Sequence, residues 1–315
     1  MKIVSFMYLA YNSLKLSNSL KHPVQNYWHD PVTESSGFFD NHGNIFGFKN
    51  NSLEKIRPLY KNIPYFRHFQ VYNNTKIINY HNCQNHCTFL QCCSQKQKLF
   101  QWNDTTLKEH YDSKNIFYRM NHFGHVYAFD TENWIQKSPK VLSFLQSDEF
   151  LQDVYFGKND QMILLSNHDK IYFVENFQLK DVFCISEQSN SVKMHVQQYE
   201  SYFYIGIQFA NNKLITYSFL RVNDASYRFF HSNILHLKEN IHDYHLCYPN
   251  IYILSSLSFQ IFQLKQFDYS PELLCKRYLP RNMIPDSFHL CNGSIYFNGK
   301  KEISFFRLIQ EKKSI

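Results

Sequence analysis

The segment of this sequence with the most evident chemical potential is a short stretch dense in histidine and cysteine. It reads His81-Asn-Cys-Gln-Asn-His-Cys87 and is followed by Cys92 and Cys93. Imidazole nitrogen and thiolate sulfur are preferred zinc ligands, and a structural zinc site needs four ligands in tetrahedral array. The candidate metal ligands are therefore His81, Cys83, His86 and Cys87.

The spacing of these four residues differs from that of the standard zinc fingers. In a strand, alternate residues point to opposite faces. His81 and Cys83 can therefore share a face, whereas His86 and Cys87 cannot unless a turn intervenes. A reduced, half-buried cysteine also packs as a small hydrophobic residue. We therefore predict no bound metal here, with reduced thiols at Cys83, Cys87, Cys92 and Cys93.

A second candidate is the segment Ile-His-Asp-Tyr-His, in which His242 and His245 flank Asp243. This pattern suits a metal or an acid–base pair only where a third group converges on it. The chain has 16 histidines, so such pairs arise readily. We interpret these two as surface or core histidines, and Asp30 and Asp130 as isolated acidic groups.

The sequence contains no Gly-rich phosphate loop, no Gly-x-Ser-x-Gly elbow and no His-Glu-x-x-His helix. We therefore predict no catalytic residue, no bound cofactor and no enzymatic activity. An enzyme that assembles its site from several separate loops is the alternative that a search for local motifs leaves open.

The elements that would position these residues are strands. Hydrophobic residues make up 44% of the 315 positions, with 30 Phe and 23 Tyr, and aromatic side chains favour pleated, half-buried surfaces. Turns are assigned to pairs such as His168-Asp169 and Asn211-Asn212, because Asn and Asp tolerate left-handed backbone. The composition predicts an all-β chain with a large core.

Apolar strands recur at a regular interval in the second half of the chain. Four of them begin at Ile171, Leu214, Phe259 and Ile303, about 43 to 45 residues apart. The same grid extends back to His125, Thr88 and Ile45. Four short strands need about this many residues, and such a period is typical of β-propellers. We predict one domain, residues 1–315, with seven four-stranded blades whose third strands lie near residues 45, 88, 125, 171, 214, 259 and 303.

The two ends of the chain support a closed ring. Few residues remain after Ile309 for a fourth strand, whereas Lys2–Ala10 is an apolar segment ahead of the first unit. An N-terminal strand that completes the last blade removes an open sheet edge. We expect Lys2–Ala10 to pair with Ile303–Ile309. A two-sheet sandwich is the alternative, but it requires no such period, and Ile251–Leu254 is apolar on both faces as stacked blades demand.

These blades resemble those of WD-repeat proteins in length, strand number and closure. The resemblance rests on periodicity, because Gly124-His125 falls at the start of a third strand and no Asp follows Trp28, Trp102 or Trp134. It implies a propeller that displays loops rigidly and binds partners on one face, with catalysis uncommon.

The formal net charge is +7, but the basic residues occur only in pairs, such as Lys300/Lys301. The leading hypothesis is a protein-interaction scaffold, a subunit of a larger complex, with Val222–Ser226 and Gln266–Glu272 as candidate binding loops. The alternatives are an RNA- or DNA-associated propeller and a propeller enzyme with a central funnel site.

No apolar run reaches the roughly 20 residues of a membrane helix, so no membrane span is predicted. Eight cysteines are too few for a disulfide scaffold of this length. We expect an intracellular protein, either cytoplasmic or nuclear.

Overall fold

The computed structural model describes most of the strands and, over residues 106–279, most of the side chains as well. The described residues are 11–20, 24–30, 35–40, 45–49, 52–56, 66–72, 77–82, 87–92, 100–102, 106–112, 114–157, 160–185, 190–223, 226–265, 270–279, 285–291, 294–299 and 303–310. Within these ranges the chain consists of strands and their connections. None of them forms a helix of the length and hydropathy needed to cross a membrane.

The first fourteen strands occupy residues 11–141. They are β1 (Tyr11–Leu20), β2 (Val24–Asp30), β3 (Ser35–Asp40), β4 (Ile45–Lys49), β5 (Ser52–Ile56), β6 (Phe66–Tyr72), β7 (Ile77–Asn82), β8 (Cys87–Cys92), β9 (Phe100–Trp102), β10 (Lys108–Tyr111), β11 (Ile116–Met120), β12 (His125–Asp130), β13 (Ile135–Gln136) and β14 (Lys140–Val141).

The remaining strands occupy residues 151–310. They are β15 (Leu151–Phe156), β16 (Gln161–Ser166), β17 (Lys170–Glu175), β18 (Gln178–Cys184), β19 (Ser191–Tyr199), β20 (Tyr202–Phe209), β21 (Lys213–Asn223), β22 (Ser226–His236), β23 (Ile241–Cys247), β24 (Asn250–Ser255), β25 (Ser258–Gln263), β26 (Glu272–Tyr278), β27 (Pro285–Cys291), β28 (Ser294–Gly299) and β29 (Ile303–Gln310).

Consecutive strands pair in antiparallel order and form seven sheets in the described part of the chain. We number them along the chain as β2–β5, β6–β9, β10–β14, β15–β18, β19–β22, β23–β26 and β27–β29 with β1. Their third strands are β4, β8, β12, β17, β21, β25 and β29, which begin at residues 45, 87, 125, 170, 213, 258 and 303. The predicted all-β propeller fold is confirmed. Its count of seven blades, and its organisation as one domain over residues 1–315, stay predictions.

An N-terminal strand completes the seventh sheet, as predicted, but it is a different segment from the expected one. Strand β1 pairs with β29 along its length, from Tyr11 opposite Gln310 to Leu20 opposite Ile303. The expected segment Lys2–Ala10 lies outside the described residues. Apolar content does not distinguish the two segments, since both contain apolar residues; the register with β29 assigns the closing position to Tyr11–Leu20.

The sheets are arranged around a common axis through their first strands. Contacts join β10 with β15, β15 with β19, β19 with β23 and β23 with β27, and β2 contacts both β6 and β28. The first strand of each sheet is therefore innermost, and the fourth lies at the outer rim. We call the first strands the inner strands.

The core lies between neighbouring sheets. Every residue of β16 is buried, and so is nearly every residue of β24. Between the fourth and fifth sheets, side chains such as Ile163, Phe173 and Ile205 form one continuous apolar cluster. Sheets covered on both faces explain why the second and third strands lack alternation of apolar and polar residues.

Asn and Asp provide the left-handed backbone at several connections. Asp169 has φ 53° and Asn212 has φ 60°, each in the turn between the second and third strands of its sheet. Gly124 occupies the corresponding turn of the third sheet with φ 74°, and a Cβ atom there would lie 2.7 Å from Leu145. Glycine adopts this φ without strain, and a larger residue there would have to displace the Leu145 side chain.

Candidate functional site

The His/Cys segment of the second sheet lies on a β-hairpin. His81 pairs with Thr88 through the backbone, and Cys87 pairs with Asn82. Cys83 and His86 lie in the connection, outside the described residues. The absence of a metal at these four residues stays a prediction. Elsewhere, the described part of the chain contains no group of three or more His, Cys, Asp or Glu side chains arranged to hold a metal ion.

Asp243, the acidic residue between the two histidines of β23, joins three sheets. Its Oδ1 accepts hydrogen bonds from the Tyr244 amide at 3.0 Å and from the Lys193 ammonium group. Its Oδ2 accepts one from the Phe288 amide at 3.2 Å. The carboxylate is buried, and both oxygens are used for holding the fifth, sixth and seventh sheets together.

Asp153 repeats this arrangement two sheets earlier. It accepts hydrogen bonds from the Val154 amide at 2.8 Å, the Met194 amide at 3.0 Å and Lys108 Nζ at 3.3 Å. Each Asp follows a β-bulge in its inner strand. Four consecutive inner strands thus carry an alternating series, which we call the inter-sheet clamp: Lys108, Asp153, Lys193 and Asp243.

Histidines occur two residues after three of the clamp positions, at His110, His195 and His245. The rings of His195 and His245 approach edge-to-face, with centroids 5.0 Å apart. Nε2 of His245 donates to the Phe288 carbonyl at 2.9 Å, and Nδ1 of His195 accepts from the Leu246 amide at 3.4 Å. A third group therefore does approach the His-Asp-Tyr-His segment, but both oxygens of Asp243 already accept hydrogen bonds from neighbouring sheets or its own strand.

Burial keeps two of these histidines uncharged. Desolvation lowers the pKa of His195 well below its usual range, and the nearby His245 and Lys193 lower it further. Desolvation also lowers the pKa of His110 to about 4, and the ring of His110 stacks on Phe156 with centroids 5.2 Å apart. At neutral pH these inner imidazoles are neutral packing groups.

The fifth sheet differs from its neighbours at its outer corner. Strands β21 and β22 have 11 residues each, whereas the corresponding strands β17 and β18 have 6 and 7. Strand β20 begins at Tyr202, which pairs with Leu220. The tip of the β21–β22 hairpin therefore extends beyond the rest of its sheet.

Contacts with the fourth sheet fix this tip. The Tyr227 hydroxyl donates to Glu175 Oε1 at 2.7 Å and accepts from Gln161 Nε2 at 2.6 Å. Arg221 Nη2 donates to Glu175 Oε2 at 2.8 Å, and the Tyr227 ring stacks on Phe173 with centroids 4.1 Å apart. Burial and the Glu175 carboxylate raise the pKa of Tyr227. The ends of β21 and β22 next to the turn are thus anchored to the fourth sheet.

The opposite face of the same corner is exposed. Strand alternation and cross-strand register place five side chains on it. Val222 is 56% exposed and Phe230 is 40% exposed, and the Phe230 ring meets Tyr202 with centroids 5.9 Å apart. We call this surface the corner patch; it consists of Tyr199, Tyr202, Val222, Arg228 and Phe230.

The corner patch overlaps one of the two predicted binding loops. Val222 belongs to the predicted loop Val222–Ser226, of which residues 224 and 225 lie outside the described residues. In the other loop, Gln266–Glu272, residues 266–269 lie outside them, and Glu272 forms an ion pair with Lys265 at 3.1 Å. Sequence reasoning missed the other four patch residues, because exposed strand aromatics look like core aromatics. The run from Leu214 to Asn223, long for a strand, was the available signal.

Exposed apolar residues also occur at the opposite end of the ring. Phe123 and Leu257 lie in turns between second and third strands, and Phe150 precedes β15. They belong to three different sheets, and the Leu151 amide donates to the His122 carbonyl at 2.8 Å, which places Phe150 near Phe123.

No protein-family model matches the chain, and no curated protein matches its sequence. Solved structures do match over nearly its whole length. The β-propeller domain of Cps50 (Swd1) from Myceliophteria thermophila covers 94% of this chain and 100% of its own, with a TM-score of 0.69 and 7% identity.

Two further structures give the same result. The C-terminal WD40 domain of Sif2 covers 95% of this chain and 99% of its own, with a TM-score of 0.64 and 8% identity. The WD40 repeats of RRP9 cover 96% and 99%, with a TM-score of 0.62 and 9% identity. The resemblance inferred from periodicity is confirmed at the level of fold: the chain is a divergent WD-repeat-like β-propeller.

Proposed function

We propose that this protein is a non-catalytic interaction module of a larger complex, and that the corner patch is its docking surface. The observation that carries the proposal is the exposure of Tyr, Phe and Val side chains beside an arginine on a rigidly anchored hairpin. Aromatic residues and arginine are the types most enriched at the energetic centres of protein interfaces. Because contacts of Arg221 and Tyr227 with the fourth sheet hold the adjoining strand ends in place, little conformational entropy is lost when a partner binds.

The state of the inner strands supports binding over catalysis. The carboxylates of Asp153 and Asp243 each accept hydrogen bonds from two amides and a lysine. A general base must reach the proton it removes, whereas both carboxylates are directed at main-chain and lysine donors of their own and the adjoining sheets. His110 and His195 are held uncharged by burial. These clusters therefore serve cohesion between sheets.

The test is quantitative affinity purification of the tagged protein from its native source, comparing wild type with Phe230→Glu. A charge in the centre of the patch should lower the yield of at least one co-purifying protein by at least about tenfold. Phe123→Glu is the matched control, because it makes the same change at an exposed phenylalanine at the opposite end of the ring, where Phe123 is 64% exposed.

Three results would contradict the proposal. Equal partner yields for wild type and Phe230→Glu would exclude the corner patch as the docking surface. A loss of partner yield confined to Phe123→Glu would indicate a docking surface at the opposite end of the ring. Binding of RNA or DNA that falls steeply with salt would favour the nucleic-acid alternative. Turnover of a substrate by the purified chain would refute the non-catalytic role.

A further inference from the structure

We propose that the outer strand β22 of the fifth sheet binds an extended, acidic segment of the partner as an added β-strand. This inference rests on the proposed function and specifies how the partner is held beside the corner patch. Addition of a peptide strand to a sheet edge derives its affinity from main-chain hydrogen bonds and its specificity from alternate side chains.

Strand β22 is a long edge. It is last in the order β19-β20-β21-β22, so that in the described part of the chain only one of its sides is paired with a strand. It has 11 residues, whereas β18 and β26 at the same position have 7 each; β1, the outer strand of the seventh sheet, has 10. Proteins usually keep such edges short or block them with charges or proline.

The register identifies which main-chain groups point outward. The Leu237 amide donates to the Asn212 carbonyl at 3.1 Å, and the Arg221 amide donates to the Ser201 carbonyl at 2.8 Å. These two bonds fix the phase of the alternation between β21 and β22. The outward-facing residues of β22 are Tyr227, Phe229, Ser232, Ile234 and His236.

One outward amide already binds a carboxylate. The Tyr227 amide donates to Oδ2 of Asp181, a residue of β18 in the fourth sheet, at 3.0 Å. Beyond Tyr227, the outward groups at Phe229, Ser232, Ile234 and His236 form a row that an incoming strand can pair with. Asp181 therefore marks one end of the open edge.

The chemistry of β22 selects an acidic occupant. The strand contains Arg228, His231 and His236 and no Asp or Glu. A second copy of β22 has no Asp or Glu, so it would bring no counter-charge to Arg228, whereas opposite charges across strands are stabilising. Phe229 and Phe230 are exposed on opposite faces. A strand that alternates apolar and acidic residues places its apolar side chains beside Phe229 and its carboxylates beside Arg228.

The probe is the synthetic peptide acetyl-Asp-Ile-Glu-Val-Asp-Ile-Glu-amide, and the control is the same peptide with lysine at every acidic position. Binding is measured by isothermal titration calorimetry and by hydrogen–deuterium exchange of the full chain. The acidic peptide should slow exchange at the outward amides of Phe229, Ser232, Ile234 and His236. The inward amides are already bonded to β21 and should change little, and the lysine peptide should protect neither set.

Ser232→Pro removes an outward amide without breaking a bond to β21, as proline is tolerated on edge strands. It should lower the affinity for the acidic peptide by at least about tenfold. Ser232→Ala keeps the amide and should bind the peptide as tightly as wild type. Arg228→Glu should weaken binding as well, and Arg228→Lys should preserve it. If Ser232→Pro lowers the thermal unfolding temperature, strand addition is judged from the two Arg228 variants and from the hydrogen–deuterium exchange of wild type.

Unchanged exchange of the outward amides at saturating acidic peptide would overturn the inference, as would equal binding of the lysine peptide. If analytical ultracentrifugation shows a dimer that Ser232→Pro abolishes, the occupant of the β22 edge is a second copy of this chain and not an acidic peptide. Loss of the native partner in Phe230→Glu but not in Ser232→Pro would leave the proposed function standing and refute strand addition. Retention of the partner in both would refute both.

Discussion

Single side chains on the inner strands do much of the work of joining one sheet to the next. Asp153 and Asp243 each accept hydrogen bonds from a lysine of the preceding sheet and an amide of the following one. If a buried carboxylate loses these donors, its oxygens are left without hydrogen bonds. If the donors lose the carboxylate, their N–H groups are left unsatisfied. The clamp residues therefore link the stability of adjacent sheets.

Replacing Asp243 should destabilise the protein strongly. Asp243→Ala leaves the amides of Tyr244 and Phe288 without their acceptor and Lys193 without its counter-charge, which should lower the free energy of unfolding by about 3 kcal/mol. Urea unfolding followed by circular dichroism measures this value. His242→Ala is the control, since the exposed His242 is adjacent in sequence. Equal stability of both variants would show that the clamp contributes nothing.

The buried histidines predict how stability depends on pH. The folded-state pKa of His110 is about 4, below the usual value of about 6.5, so between these values only the unfolded chain binds the proton. Stability therefore falls as pH drops from 6.5 toward 4. In His110→Phe the loss of stability between pH 6.5 and 4 should be smaller. Urea unfolding midpoints measured across this pH range test the difference. A pH profile identical to that of wild type would contradict the assignment.

The sequence identified the His-Asp-Tyr-His segment but not the groups that surround it. Asp243 was visible as an acidic residue, whereas its partners Lys193 and Phe288 come from other sheets and lie far away along the chain. Only the register of neighbouring inner strands brings them together. No pattern within one repeat contains that information.

At the level of elements, the β21–β22 hairpin is the part of the molecule that departs most from a regular blade. Its tip is held by Tyr227, whose hydroxyl and ring both contact the fourth sheet. The tip therefore carries the corner patch on one face and its own anchor on the other. Loss of the anchor should affect the patch without unfolding the whole sheet.

Tyr227→Phe should test this division. The substitution keeps the ring but removes the hydroxyl that binds Glu175 and Gln161, which should cost about 1 to 2 kcal/mol. Amide exchange should become faster in the segment from Arg221 to Tyr227. Tyr278→Phe, which alters an exposed tyrosine of the sixth sheet, should leave both stability and exchange unchanged. Unaltered exchange at the tip in Tyr227→Phe would mean that other contacts hold it.

Element positions were more predictable than element lengths. The recurring apolar runs at Ile171, Leu214, Phe259 and Ile303 lie within β17, β21, β25 and β29, because buried third strands are apolar on both faces. The ends of β21 and β22 that extend beyond β20 mix polar with aromatic residues, so their composition did not distinguish them from a loop. Hence Val222–Ser226 was interpreted as a binding loop, although Val222, Asn223 and Ser226 belong to strands.

On the scale of the whole molecule, closure depends on β1. It covers the outer side of β29, which would otherwise present a row of unpaired main-chain groups. Periodicity alone pointed to an N-terminal closing strand, yet it could not choose between Lys2–Ala10 and Tyr11–Leu20. Both segments contain apolar residues, and only the pairing with Ile303–Gln310 separates them.

Deleting residues 1–20 should make the protein prone to aggregation, because it exposes the edge of β29. Light scattering at increasing protein concentration measures this, together with the thermal unfolding temperature. Deleting residues 1–10 leaves β1 intact and should have a much smaller effect. A monomeric, thermally unchanged protein after removal of residues 1–20 would show that β1 is dispensable for closure.

The pairing of β1 with β29 also constrains biosynthesis. The ribosome makes β1 long before β29, so Tyr11 emerges while Gln310 does not yet exist. Domains usually fold as units during synthesis, but the seventh sheet can complete only after β29 has been made. Until then β1 is an edge without its partner, and contacts of such long sequence separation form slowly. We therefore expect the pairing of β1 with β29 to be a late step in folding.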